Sequence, residues 1–312
     1  MMRYATYILP LTCFLFSNHL MAQDPKLPAT NLGLVNMQDG NPPGTGMVFQ
    51  EVFQTYNAGK AYNADGKLSS NNDDFSTLLA MQQLIHITNV HFLGGNLGYT
   101  VLLPVVKISN LSSRGSNNVS VNPTPIGDLT LGPMVQWFDR RIGNMKLAHR
   151  LELDMTIPTG AFNRKYVINP GSNFYTFSLH HAFTIFPAER FSISMRNHLH
   201  YNTKERHGKA KVGMFYHNNY SLEFALNRTF RVEATGYYLQ QIQQDSYNDD
   251  HSYYQTNFAI SDTRERVLAY GIGIGYLTPK GTFLELKAVK EAAVVNRTSG
   301  LRATLLVNFK LD

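Results

Sequence analysis

"MKLAHRLELDMTIP", residues 145–158, sorts into two interleaved sets of side chains. Met145, Leu147, His149, Leu151, Leu153, Met155 and Ile157 hold the odd positions. Lys146, Ala148, Arg150, Glu152, Asp154, Thr156 and Pro158 hold the even ones. Strand side chains alternate between two faces, so this segment has one greasy face and one charged face. An unpaired charge is costly to bury in a soluble core. Glu152 and Asp154 therefore belong on a face turned to water or polar groups, with Leu151 and Leu153 turned to lipid.

The pattern recurs. Residues 128–138 set Leu129, Leu131, Val135 and Trp137 against Asp128, Thr130 and Gln136. Residues 174–185 oppose Tyr175, Phe177, Leu179, Phe183 and Ile185 to Thr176, Ser178, His180 and Thr184. Residues 191–202 and 301–311 repeat it, with Phe191, Ile193, Met195 and Leu199 in one and Leu301, Ala303, Leu305, Val307, Phe309 and Leu311 in the other. Repetition on strand after strand of about ten residues is the mark of a transmembrane β-barrel. After residue 22 no run approaches the ~20 apolar residues of a spanning helix. A closed barrel is the other structure that satisfies its backbone in lipid.

Residues 1–22 read as an export signal, with Arg3, an apolar stretch and a small residue at Ala22. Leu11 and Thr12 before Cys13 offer a lipoprotein alternative, opposed by the apolar run continuing through Phe14, Leu15 and Phe16. Cys13 is the chain's one cysteine, so cleavage leaves no disulfide. The formal net charge of +6 is spread along the chain without a basic cluster, which argues against a nucleic-acid partner.

Short connections at 91–95, 140–144, 186–190, 227–229 and 278–281 alternate with long polar ones at 58–76, 109–127, 159–172, 203–210, 244–262 and 292–299. Barrels of this kind have short periplasmic turns and long external loops. The expected fold is all-β: one antiparallel barrel of about twelve strands over residues 46–312, both termini periplasmic. Residues 23–45 form a tail that stays periplasmic or folds inward as a plug. Pro104 and Pro133 fall inside strands and are expected to mark bulges. Residues 77–90 alternate poorly, with Leu78 and Leu84 on the nominally polar face.

"GDLTLGPMVQW" (127–137), "LDMTIPTGAFN" (153–163), "NPGSNFYTFSLHHAFT" (169–184) and "FSISMRNHLHYNT" (191–203) resemble the outer-membrane protein family named for the meta-cleavage pathway of phenol degradation. The likeness spans most of the chain after residue 22 and rests on strands and rims, with no catalytic signature. It implies an outer-membrane barrel associated with uptake of aromatic or other hydrophobic compounds.

Centring each hairpin on its connection places Glu152 beside His180, His180 beside Arg196 and Arg196 beside His217, all facing inward. Arg150, Asp154, His198, His200 and Arg231 share that facing. Together they are candidates for a mixed-charge constriction, or for an ion-pair network that fills a modest barrel. Arg150, Arg196 and Arg231 are the expected partners of the two acids. In a wet row, Glu152→Gln shifts ion preference at little cost in stability. His198 and His200 have metal-ligand spacing but lack fixed further donors, so a polar lining is the expectation and no metal or cofactor is assigned.

Ser178 and His180 share a face, yet no orienting group or oxyanion site accompanies them, so catalysis is not expected. Gly271, Gly273 and Gly275 bare the inner wall, leaving space for a solute or plug, or marking a tight bend. Tyr247, Tyr253, Tyr254 and Phe258 either greet an apolar solute at the mouth or pack their own loop. Asp249 and Asp250 either bridge lipopolysaccharide through a divalent ion or are simply solvated. The chain reads as a monomeric outer-membrane channel or transporter for small, aromatic or hydrophobic solutes. Its expected partners are membrane lipid, lipopolysaccharide and the solute. A non-conducting structural or adhesion barrel acting through its external loops is the alternative, and an outer-membrane hydrolase ranks third.

Overall fold

The computed structural model describes residues 32–69, 75–110 and 120–311; residues 1–22, the expected export signal, lie outside them. The elements are β1 (Gly46–Ala61), β2 (Phe75–Phe92), β3 (Gly95–Asn110), β4 (Leu129–Ile142), β5 (Met145–Ile157), β6 (Thr176–Ala188) and β7 (Phe191–Asn202). After these come β8 (Ala210–Lys211), β9 (Phe215–Ala225), β10 (Phe230–Gln241), β11 (Ser246–Tyr247), α1 (Tyr253–Phe258), β12 (Arg266–Leu277), β13 (Phe283–Val295) and β14 (Thr298–Leu311). Among the described residues, twelve strands form one closed antiparallel barrel, in which all but β8 and β11 take part. β1 seals it against β14, from Met47 opposite Leu311 to Ala61 opposite Thr298. Closure gives every barrel strand a neighbour on both sides, which is what a backbone in lipid requires.

Burial is inverted relative to a soluble protein. Arg150, Glu152, His180, Arg196, Asn219 and Glu285 are buried, while Leu78, Leu153, Ile272 and Leu286 are more than half exposed on the outside. Large apolar side chains on the outer face and charges within describe a wall whose solvent is hydrocarbon.

At one rim the strands are joined tightly. Leu93 and Gly94 join β2 to β3 with φ of 48° and 73°, the paired left-handed geometry of a two-residue hairpin. The other rim carries the longer connections, where Ser246–Tyr247 pair with Ala210–Lys211 to tie two loops together. One expected long loop is absent. Residues 292–299 lie almost wholly in β13 and β14, joined through Asn296 and Arg297. The strand ends pair outward instead: Val295 lies opposite Arg266 and Ser299 opposite Lys60.

Pro133 does not mark a bulge, because the β3–β4 register runs evenly from Asn96–Gln136 to Leu102–Thr130. The β4–β5 irregularity falls later, between Trp137 and Arg140. Pro104 does sit at a break. The ladder stops at Leu102, and Gly127 donates to the Pro104 carbonyl at 2.9 Å. The weak alternation of 77–90 also has an explanation. Leu78 and Leu84 point outward, while Met81, Ile85 and Ile87 are buried inside, so both faces of β2 are apolar.

Candidate functional site

The apolar inner face of β2 meets residues 32–40, which run up the inside of the barrel as a plug. Leu34 packs with Val52, Met81, Leu102 and Leu306. Leu32 enters a second cluster with Phe215, Tyr237, Leu239, Val267 and Val289. The segment is not a strand, so its peptide groups need other partners, and the wall supplies them from side chains. Gly33 N–H donates to Asn219 at 2.7 Å, Met37 N–H to Glu285 at 2.9 Å, Gln38 N–H to Glu223 at 2.8 Å and Gly40 N–H to Thr184 at 2.9 Å. Lys287 donates to the Val35 carbonyl and Gln136 to the Gly40 carbonyl. Gly40 must be glycine, because a Cβ there would lie 2.4 Å from the β6 backbone.

Asp39 of the plug carries the main charge contact. It pairs with Arg196, whose Nε donates at 2.8 Å. Arg150 pairs with Glu152, and His180 Nδ1 lies 3.4 Å from Glu152 and 3.5 Å from Asp154. Gly132 leaves the room that Asp154 occupies, since a Cβ at Gly132 would come within 2.4 Å of its carboxylate. Arg231 stands apart from the acids and is half-buried; Gln38, with its amide turned to accept, takes a 2.7 Å hydrogen bond from it.

Glu152 does lie opposite His180, but the next neighbours differ by two residues from the sequence-based pairing. His180 faces His198, and His198 faces His217, while Arg196 faces Asn219. The imidazoles stack in a row, with ring centroids 4.1 Å apart for His180–His198 and 4.3 Å for His198–His217. Arg150 and Glu152 are 2% and 1% exposed, so with the plug in place the row is buried, the arrangement in which Glu152→Gln is expected to cost stability rather than be tolerated. Paired, desolvated charges form a structural network instead.

Sequence reasoning overlooked a second inner network. Glu223, Glu233, Glu285, Lys287 and Glu291 are all buried. Tyr56 and Tyr237 donate to Glu291 at 2.7 and 2.5 Å, and the Arg302 guanidinium lies 4.0 Å from the centre of the Tyr56 ring. Three of these were legible by parity in "FLELKAVKEAAVV" (283–295), where residues 285, 287 and 291 share a face. Asp39 had no such signal, because it belongs to no alternating segment.

Ser178 Oγ lies 2.6 Å from His200 Nδ1 rather than against His180, and the other His200 nitrogen meets His217 at 3.0 Å. That histidine therefore lacks the carboxylate that orients a catalytic base. The bared wall at Gly275 faces the plug, since a Cβ there would lie 2.7 Å from the Met37 sulfur. In the long loop between β10 and β12, Tyr247, Tyr253, Tyr254 and Phe258 pack on one another, beginning with Tyr247–Tyr253 at 4.3 Å. Asp249 pairs with Lys204 at 2.6 Å and Asp250 accepts from Ser252 at 2.7 Å. A cavity of about 280 Å³ opens below the plug at the tight-turn rim, lined by Met37, Asp39, Ile85, Arg150, Arg231 and Phe309 among others.

Comparison with known proteins places this geometry. A family model described as "Putative MetA-pathway of phenol degradation" matches residues 58–307. Among solved structures, the COG4313 outer membrane channel from Pseudomonas putida F1 superposes with a TM-score of 0.73 at 15% identity, covering 89% of this chain and 100% of that one. The beta domain of the Bordetella autotransporter BrkA gives a TM-score of 0.46 at 13% identity, covering 86% of this chain and 100% of that one. The NanC porin gives 0.42 at 10%, covering 84% and 100%. The first is a match of fold; the other two resemble the chain only loosely. No curated protein sequence matches it.

Proposed function

The chain belongs to the family described as the MetA-pathway of phenol degradation, and from that premise we propose that it is an outer-membrane channel for small aromatic or hydrophobic solutes, closed at rest by residues 32–40. The tight turns face the periplasm and the long loops face outward, following the usual asymmetry of such barrels. The observation that carries this reading is the chamber around Leu32. Phe215, Tyr237, Leu239, Val267 and Val289 project an apolar surface into the lumen, across from the charged row of Arg150, Glu152 and Arg196 in the β5–β7 wall. The plug fills it with one leucine, which a small aromatic ring matches in size and chemistry.

The plug is held by side-chain hydrogen bonds, one ion pair and the packing of Leu32 and Leu34 rather than by a strand ladder. The hydrogen bonds exchange for water or for a ligand's groups at modest cost, because each contributes about 0.5–1.5 kcal/mol net, or about 1.5–3 kcal/mol where a carboxylate accepts. Passage then requires the plug to withdraw, and the polar wall it leaves behind is hydrated.

The filled lumen also favours a second reading, a non-conducting structural barrel. Planar-bilayer conductance separates the two. The channel reading expects low conductance from the intact protein and a severalfold rise when residues 32–40 are replaced by a Gly/Ser segment. Liposome uptake of phenol should rise in parallel. A plug-replaced barrel that folds and stays closed would rule out the channel.

A further inference from the structure

We propose that His198, His200 and His217 form a binding site for one borderline-soft divalent transition ion, of which Zn²⁺ is the test case. The three side chains come from two neighbouring strands: His198 and His200 share the inner face of β7, and His217 lies directly opposite His198 on β9. One ring nitrogen from each falls within 4.8 Å of the other two. The His200 Nε2 to His217 Nδ1 separation is 3.0 Å. Two nitrogens bound to one tetrahedral Zn²⁺ at about 2.0–2.1 Å stand about 3.3 Å apart, so a small opening of this pair admits the ion.

The plainer account is a stack of neutral imidazoles filling the wall. Against it stand the unsatisfied nitrogens. All three residues are buried, at 2%, 8% and 0% exposure. Yet neither nitrogen of His198, nor Nε2 of His217, has a hydrogen-bond partner in the structure. Buried polar atoms are rarely left unmatched. Ser178 adds the orienting contact that ligating histidines usually have. Its hydroxyl lies 2.6 Å from His200 Nδ1, which fixes the ring and leaves Nε2 as the ligating atom.

The ion takes the place of the proton shared between His200 Nε2 and His217 Nδ1, which moves to the other nitrogen of its own ring, so each histidine binds as a neutral ligand. His198 turns about its terminal torsion to supply the third nitrogen. Asp154, His180 and His198 make a second, overlapping group of donors. The three-histidine group is preferred because imidazole suits this class of ion and because the Ser178 hydroxyl orients one of its ligands. An ion here ties β7 to β9 in the outer half of the barrel.

The test uses untagged protein refolded in detergent, its barrel confirmed by heat-modifiable gel mobility. Bound zinc is measured after dialysis, and affinity by competition with a chromophoric chelator. One Zn²⁺ per chain is expected in the wild type. Ser178→Ala should weaken binding about 10–100-fold, and His200→Ala and His217→Ala should abolish stoichiometric binding. His251→Ala, in an exposed loop, should leave it unchanged. Co²⁺ on the wild type gives a readout that needs no variant, the intense visible bands of a tetrahedral nitrogen site. A folded wild type that binds neither ion overturns the site, as do folded His200→Ala and His217→Ala proteins that bind zinc normally. If those variants do not fold, a wild-type Co²⁺ spectrum lacking tetrahedral bands overturns it as well.

Discussion

The walls formed by β5, β6, β7 and β9 and by β1, β2 and β3 close the same barrel but differ on their inner faces. The first lines the lumen with Arg150, Glu152, His180, Arg196, His198 and Asn219, all buried. The second presents Val48, Val52, Met81, Ile85 and Leu102. Their outer faces are alike, with Leu153 and Leu179 on one and Phe53 and Leu78 on the other. Lipid demands the same surface all round a barrel, whereas the inner surface answers to whatever lies against it. Here a single segment does, with Leu34 turned to the apolar wall and Asp39 to the charged one.

The largest expected effect comes from removing the charge that Asp39 meets. Arg196→Met leaves a buried carboxylate unmatched, a loss of about 3–5 kcal/mol that withdrawal of the plug relieves. Bilayer conductance should rise while the barrel still shows heat-modifiable mobility. Glu152→Gln strands Arg150 in the same buried row and should lower thermal stability by about 3 kcal/mol. An ion-selectivity change with unaltered stability would show that this wall is wet after all.

Next in size is a lipid-face charge. Leu153→Arg should cost about 2–4 kcal/mol of barrel stability near the membrane midplane, read by urea titration in detergent-lipid micelles. Ala148→Arg is not the mild control that parity alone suggests. Ala148 has no exposure at all, so arginine fits only if the plug leaves. Equal folding losses at both sites, with conductance unchanged at 148, would undo the contrast between outer and inner surface.

Leu34→Ala probes the apolar wall. It should weaken plug docking by about 2 kcal/mol, the low end for a buried leucine, because a tethered segment can shift into the space. Limited proteolysis of the plug in the wild type and variant measures this. The smallest effect lies outside both walls. Asp249→Asn breaks an exposed pair with Lys204 and should not change thermal stability, while an epitope inserted at Asn248 should be reached by antibody on intact cells.

Strand, facing and closure were legible in the sequence because alternation is local. A residue's parity depends on its own segment, and Glu152, Asp154 and the inward histidines could be placed from that alone. Neighbours across strands were harder. A slip of two residues keeps every side chain on its face, so parity could not choose between Arg196 and His198 opposite His180. Likewise 292–299 is polar enough for a loop, and only pairing with β12 and β1 drew it into strands.

The sequence by itself determined a barrel wall with lipid outside and charge within, since a period of two is a property of each strand taken singly. Tertiary structure alone decided what occupies the interior. Asp39 and Arg196 are 157 residues apart, and nothing periodic marks a nine-residue segment in which Gly33, Met37, Gln38 and Gly40 donate their peptide N–H groups to wall side chains. The same closure brought His200 within 3.0 Å of His217, because register is set by the ring of strands as a whole rather than by any one of them.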